Sequence, residues 1–138
     1  MRAFVRQQVA AADGDLTTAA DLVQAVDELV TNVIEHGYAG RPGEVEVTFE
    51  ARPDAFELRI RDAAAPFDPT RVPEPRLDLS LEQRPLGGMG VHLARALTDA
   101  FDHRILPSGG NEVTVRKLRP RTATREASDG HHDRPADR

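Results

Sequence analysis

The most constraining feature of this 138-residue chain is a pair of alternating runs separated by a short polar connection. Val45, Val47 and Phe49 alternate with Glu46, Thr48 and Glu50, and then Phe56, Leu58 and Ile60 alternate with Glu57, Arg59 and Arg61. Successive strand side chains point to opposite faces, so each run carries one apolar and one polar face. The connecting residues Arg52, Pro53, Asp54 and Ala55 make the pair a hairpin. A hairpin that is wet on one face needs a cover for the other.

Residues 21–36 supply that cover. Leu22, Val26, Leu29, Val30, Val33 and Ile34 recur at helical spacing and predict a long amphipathic helix. Thr17 or Thr18 is positioned to cap its start, and Gly37 to end it in the left-handed conformation. Residues 3–12 predict a preceding helix, with Phe4, Val5 and Val9 on one face and a break at Asp13, Gly14 and Asp15. Downstream, Val91, Leu93, Ala94, Leu97 and Phe101 give a third helix its apolar face. Residues 103–106 and 112–117 form a second hairpin across Pro107, Ser108, Gly109, Gly110 and Asn111.

Composition sets limits. The length suits one domain, and with aromatics at 4% the core must come mainly from Leu, Val, Ile and Ala. A net charge of -5 disfavours direct nucleic-acid binding. The absence of cysteine removes disulfides, thiolate metal sites and cysteine nucleophiles. No apolar run is long enough to span a bilayer, and the first residues lack the apolar core of a signal peptide, so a cytoplasmic, membrane-free protein is expected. Five prolines between residues 66 and 85 predict an irregular, functional loop. Residues 119–138 hold almost no large apolar side chain and are expected to be a disordered polar tail after a domain of residues 1–118.

Several polar residues fall at places where chemistry is done. Glu28 and Asn32 lie one helical turn apart and point the same way, offering a base and an oxygen ligand to one small volume. Asp62 ends a strand, where its carboxylate can accept a hydrogen bond from a base amine. Gly87, Gly88 and Gly90 open a helix, where bare backbone and free amides favour phosphate. Thr114 lies inside an alternating strand. Taken singly, each has an ordinary structural explanation: a solvated helix face, a strand-ending turn, a hinge, a β-branched filler.

Their order is more specific. Residues 27–32 (Asp-Glu-Leu-Val-Thr-Asn), 62–68 (Asp-Ala-Ala-Ala-Pro-Phe-Asp), 87–90 (Gly-Gly-Met-Gly) and 111–117 (Asn-Glu-Val-Thr-Val-Arg-Lys) follow one another as the boxes of a nucleotide site do. The chain resembles the GHKL, or Bergerat-fold, ATP-binding family over nearly all of residues 1–118. The resemblance implies an α+β two-layer sandwich, a mixed and mainly antiparallel sheet covered on one face by helices. With Pro-Phe-Asp-Pro at residues 66–69 and the glycine box soon after, it is similar to the single-domain anti-sigma-factor serine kinases of bacteria.

That resemblance implies ATP and Mg²⁺ as cofactors. It makes Glu28 the general base on a substrate hydroxyl and Asn32 the Mg²⁺ ligand. Asp62 reads adenine beside Ala64, which stands where the family pattern has glycine. Gly88 and Gly90 let lid and helix start wrap the phosphates, Arg84 reaches the terminal phosphate, and Thr114 supports Asp62 near the base. The implied partners are a sigma factor, an anti-anti-sigma protein that receives the phosphate, and a second copy in a homodimer. The strand that often precedes the first helix in such relatives, and helps their dimers, is not seen here. Ala64 also motivates an alternative: a nucleotide-sensing regulator of the same fold that binds a partner without transferring phosphate. The ATPase part of a sensor histidine kinase is less expected, since residues 1–20 contain no helix pair with a phosphoacceptor histidine.

Overall fold

The structure, a computed structural model, describes residues 1–74, 76, 78–80, 82 and 89–121. The first helix, α1, spans Arg2–Ala11 and buries Val5 and Val9 completely. Phe4, expected on the same face, stays 37% exposed. The break comes at Asp13, whose φ of 58° turns the chain. Helix α2 spans Leu16–Asn32. Its cap is neither threonine but Asp15, whose carboxylate accepts the Thr18 backbone N–H at 2.7 Å. The three-residue reach from Asp15 satisfies an orphan amide of the first turn, and Thr18 itself is buried.

The helix does not stop at Gly37 in the expected way. Val33–Gly37 forms one turn of π-helix, closed by a 2.8 Å bond from the Tyr38 N–H to the Val33 carbonyl. The left-handed residues come later, at Ala39 (φ 52°) and Gly40 (φ 74°). The wider turn rotates the stripe, so Ile34 is left 48% exposed. Tyr38 then ties the following loop down. Its hydroxyl donates to the Glu44 carbonyl at 2.6 Å and accepts from the Ala63 N–H at 2.9 Å, and its ring covers Gly43, where a side chain would collide with it.

Strands β1 (Val45–Ala51), β2 (Ala55–Asp62), β3 (Ala100–Ile105) and β4 (Asn111–Leu118) form a sheet in the order β1-β2-β4-β3. Every pairing among the described residues is antiparallel, in keeping with the expected mainly antiparallel sheet. The register sets Val47 beside Ile60, Ile60 beside Val113, and Asp62 beside Asn111. Leu58, Ile60, Val113 and Val115 point to the helices and meet Leu22, Val26 and Leu29 of α2, with Val5, Val9 and Phe56 closing one end. This is the expected two-layer sandwich of helices on one face of a sheet.

The other face is less wet than alternation alone suggests. Glu57 and Glu112 are only 1% and 5% exposed. Arg52, Arg59 and Arg116 close over Glu57, and Arg61 and Arg104 over Glu112, with nitrogen–oxygen distances of 2.5–3.1 Å. Arginine stems cover the carboxylates while their heads stay near water.

Helix α3 spans Met89–Ala96 and packs Val91 and Ala94 inward. Phe101, expected on this helix, belongs to β3 and packs against the core from there. In the proline-rich segment the only regular element among the described residues is a short 3-10 turn, Pro69–Arg71. Asp68 caps it, accepting from the Thr70 N–H at 2.9 Å and the Thr70 hydroxyl at 2.6 Å. His92 contacts the Pro73 carbonyl, and Arg95 donates to the Thr70 carbonyl at 3.2 Å, so α3 holds this segment down. Arg119, expected to begin the tail, is still tied to the body: its N–H donates to the Asp54 carbonyl at 2.9 Å and its guanidinium lies 4.4 Å over the Phe56 ring. Residues 122–138 lie outside the described residues.

Candidate functional site

A cleft opens where the C-terminal end of α2 meets the paired ends of β2 and β4. Leu29, Val33, Ile60 and Val113 give it apolar walls, and Asn32, Asp62 and Asn111 give it polar groups. Gly37, Ala64, Ala65, Phe67 and Pro69 complete the rim. An apolar slot with a few convergent polar groups suits a flat heteroaromatic ring.

The strand ends explain the polar side. Asp62 is the last residue of β2 and 8% exposed. Its Oδ1 accepts from the Ala64 N–H at 2.9 Å and from the Asn111 side-chain amide at 3.0 Å. Among the described residues no donor reaches its Oδ2. Asp62 therefore offers one free acceptor beside apolar walls, which suits an exocyclic amine. The turn after it is tight. Ala64 is buried, and its methyl group lies against Gly37, where a Cβ would come within 3.0 Å of it. The methyl that replaces the family's glycine is thus accommodated by a bare backbone across the cleft.

A second carboxylate lies one turn back along α2. Glu28 is half-buried, and its carboxylate accepts from the Gln24 side-chain amide at 2.9 Å. It also lies directly against Gly90, where a side-chain carbon would collide with Oε2. The Glu28 carboxylate can lie against the start of α3 in this way only because residue 90 has no side chain. Among the described residues no group of three His, Cys, Asp or Glu could hold a metal by itself. A hard divalent cation here would depend on the Asn32 amide oxygen and on ligand oxygens, the pattern by which Mg²⁺ is commonly held together with phosphates.

The structure thus brings Asn32, Asp62 and Ala64 to one cleft and sets Glu28 against Gly90 one helical turn away. Arg84 and Gly88 lie outside the described residues. Thr114 is not in the cleft. It lies on the opposite face of the sheet, among Arg59, Asp102 and Arg116. Alternation requires this, since its neighbours Val113 and Val115 face the helices. The residue that touches Asp62 from β4 is Asn111, at the start of the strand.

Asn111 and His103 went unnoticed as site residues in the sequence. For Asn111 the parity of β4 was a usable signal, because Asn111 and Val113 must share a face. For His103 the signal was weaker. It depends on the hairpin register, which sets His103 beside Val113.

Asp68 titrates below the usual carboxylate range, first because the Thr70 hydroxyl donates to it, with His103 and Arg71 adding smaller effects. His103 Nδ1 stands 3.5 Å from the Asp68 carboxylate.

Comparison with known proteins gives this arrangement a context. Residues 1–117 match the family described as the histidine kinase-like ATPase domain. The chain is similar to a serine/threonine-protein kinase, BtrW, of Bordetella bronchiseptica, with 30% identity over 95 residues, 68% of this chain and 66% of that protein. It is also similar to the serine-protein kinase RsbW of Bacillus cereus, with 28% identity over 101 residues, 70% of this chain and 62% of that one. The matched stretch therefore spans just under two thirds of these relatives' own lengths. With helices stacked on one face of an antiparallel sheet, a cleft at the end of the central helix, and a family match across residues 1–117, the chain belongs to the histidine kinase-like ATPase domain family.

Proposed function

We propose that this protein is an ATP-dependent protein-serine kinase of the anti-sigma type, which phosphorylates a small anti-anti-sigma antagonist and captures a sigma factor. The observation that carries the reading is the meeting of Asp62 and Asn32 at one apolar cleft, with Glu28 a turn away against Gly90. The printed names of the similar proteins, both serine kinases, support it. In this reading adenine enters between Leu29, Val33, Ile60 and Val113, and its amine donates to the free oxygen of Asp62. Asn32 holds Mg²⁺ together with the phosphates. Mg²⁺, when bound, neutralises charge on the triphosphate.

Glu28 takes the proton from the substrate serine hydroxyl as the serine oxygen bonds to the terminal phosphorus, the bond from that phosphorus to the β–γ bridging oxygen breaks, and ADP leaves. Phosphoryl transfer needs mainly positioning and charge stabilisation, and a carboxylate within reach of the hydroxyl supplies the base. Gly88 and Gly90 give the phosphates bare backbone, and Arg84 neutralises the terminal one. The working place is the cytoplasm; no helix among the described residues is long and apolar enough to cross a membrane.

The test is phosphate transfer from labelled ATP with Mg²⁺ to a candidate antagonist, comparing wild type with Glu28→Gln. Removal of a general base should lower transfer about 10²–10⁴-fold while nucleotide binding persists. Undiminished transfer in the variant would overturn the role of Glu28. Tight ATP binding with no phosphate found on any partner would return the non-catalytic, nucleotide-sensing reading. A pull-down from native extract, with and without ATP, identifies the sigma factor.

A further inference from the structure

Asn111 is 4% exposed, and its hydrogen-bonding capacity is used up. Its two N–H groups donate to Asp62 Oδ1 and the Ala65 carbonyl, both at 3.0 Å. Its oxygen accepts from the Phe67 N–H at 2.9 Å and faces His103 Nε2 at 3.0 Å. This pattern fixes which end of the amide is which, because a flipped group would set its N–H against the Phe67 N–H. It also fixes His103 as the donor at Nε2. The other ring nitrogen, Nδ1, faces Asp68 at 3.5 Å, and Asp68 is held by Thr70. The His103 side chain is 5% exposed. A chain of contacts therefore runs from the partly exposed, capped turn at Asp68 through the buried His103 ring and Asn111 to one oxygen of Asp62.

Resting on the nucleotide reading above, we propose that Asn111, held in orientation by His103, is the positioning residue that sets base selectivity by occupying one oxygen of Asp62 and leaving the other to the ligand. With no capacity left over, Asn111 cannot donate to the base itself, so its influence must pass through Asp62. A carboxylate pinned at Oδ1 and bare at Oδ2 accepts from an amino-purine. It repels the carbonyl oxygen that a keto-purine presents at the same position. Without the Asn111 bond, Oδ1 keeps only the Ala64 N–H and gains an open acceptor position for water, and the discrimination fades. Strand parity places Asn111 on the helix-facing side, but the contacts themselves join residues from three separated segments.

The experiment is calorimetric binding of ATP, GTP and inorganic tripolyphosphate, each with Mg²⁺, to the full chain and to Asn111→Leu, His103→Leu and His103→Gln. ATP affinity should fall about tenfold in Asn111→Leu and about three- to tenfold in His103→Leu, as expected for losing one buried bond to a charged group. GTP and tripolyphosphate binding should change by less than about twofold, so the ATP preference narrows. His103→Gln carries an amide nitrogen near the place of Nε2 and should return ATP affinity to within about threefold of wild type. A parallel loss for ATP and tripolyphosphate, or an unchanged ATP-to-GTP ratio, overturns the positioning role of Asn111 while leaving the nucleotide site standing. A wild type that binds tripolyphosphate or nothing, without preference for adenine, overturns the nucleotide reading itself. Should Asn111→Leu fail to fold, the contrast between His103→Leu and His103→Gln decides the matter alone.

Discussion

A single missing carbon atom decides where the Glu28 carboxylate lies between α2 and α3. Gly90 lies against the Glu28 carboxylate, so any side chain there must displace the group assigned to take the proton. The obstacle is the far end of a flexible side chain rather than backbone, so the fold should absorb the change. Gly90→Ala is therefore expected to lower the melting temperature little, and even to gain a few tenths of a kcal/mol from helix propensity. Phosphate transfer should fall about tenfold or more, since a misplaced base loses most of its advantage. Measuring both on one sample separates the effects, and a variant with full transfer would show that Glu28 need not stand where it does. Ala64 offers the converse lesson. Its methyl looked like an intrusion on a base pocket, yet the space it needs is left by Gly37. No pattern confined to either segment could reveal that, because the compensation lies 27 positions away in the chain.

At the scale of elements, the parts that repeat a period were legible and the parts that end one were not. The alternating runs gave β1 and β2 nearly to the residue, and the helical stripe gave α2. The helix start is ambiguous in the sequence because Asp15 fits the turn as well as the cap, and in the fold it both ends the turn and caps the helix. The helix end was misjudged because a π turn leaves no periodic mark. Phe101 fits a helical spacing from Leu97 by coincidence, and strand pairing with Val115 claims it instead. The hydroxyl of Thr114 suits a site, but the parity of Val113 and Val115 sends it to the other face.

The loop after α2 yields an element-scale prediction. The Tyr38 hydroxyl is the shared partner of Glu44 and Ala63, which joins the entry of β1 to the exit of β2. Tyr38→Phe removes both bonds but keeps the ring over Gly43, and should cost about 1–2 kcal/mol by denaturant titration. Nucleotide affinity should fall with it, since Ala63 adjoins Asp62.

The whole molecule adds a dependence on pH that comes from the face opposite the cleft. Glu112 titrates at about 2 instead of 4.5, first because Arg104 donates to it and then because Arg61 does, with burial opposing both. Glu57 is lowered as well, its burial outweighed by Arg116, Arg52 and Arg59. A carboxyl depressed in the folded state stabilises fully above its unfolded value, 4.5, and loses that contribution as pH falls towards 2. At about 1.4 kcal/mol for each pH unit of displacement, reduced because both arginines are partly in water, Glu112 should contribute about 1–3 kcal/mol at neutral pH. Melting curves of wild type and Glu112→Gln should therefore differ at about pH 6 and converge as pH approaches about 2. A constant gap across that range would mean that the carboxylate is not what the arginines hold.

Strand order has a consequence for how the site breathes. Asp62 and Asn111 sit opposite each other on β2 and β4, the two strands that are flanked on both sides. Asn32 sits where regular helix gives way to the π turn. In amide hydrogen exchange the inner strands should open only with the whole domain, whereas residues 33–37 should exchange through small local openings. In the nucleotide reading, the half of the cleft that would read the base is then built on slow-exchanging backbone, and the half that would grip phosphate and cation on faster-exchanging backbone. Ligand should slow exchange at 33–37 far more than in the sheet, so that docking is a matter of the helix end settling onto a guest already chosen.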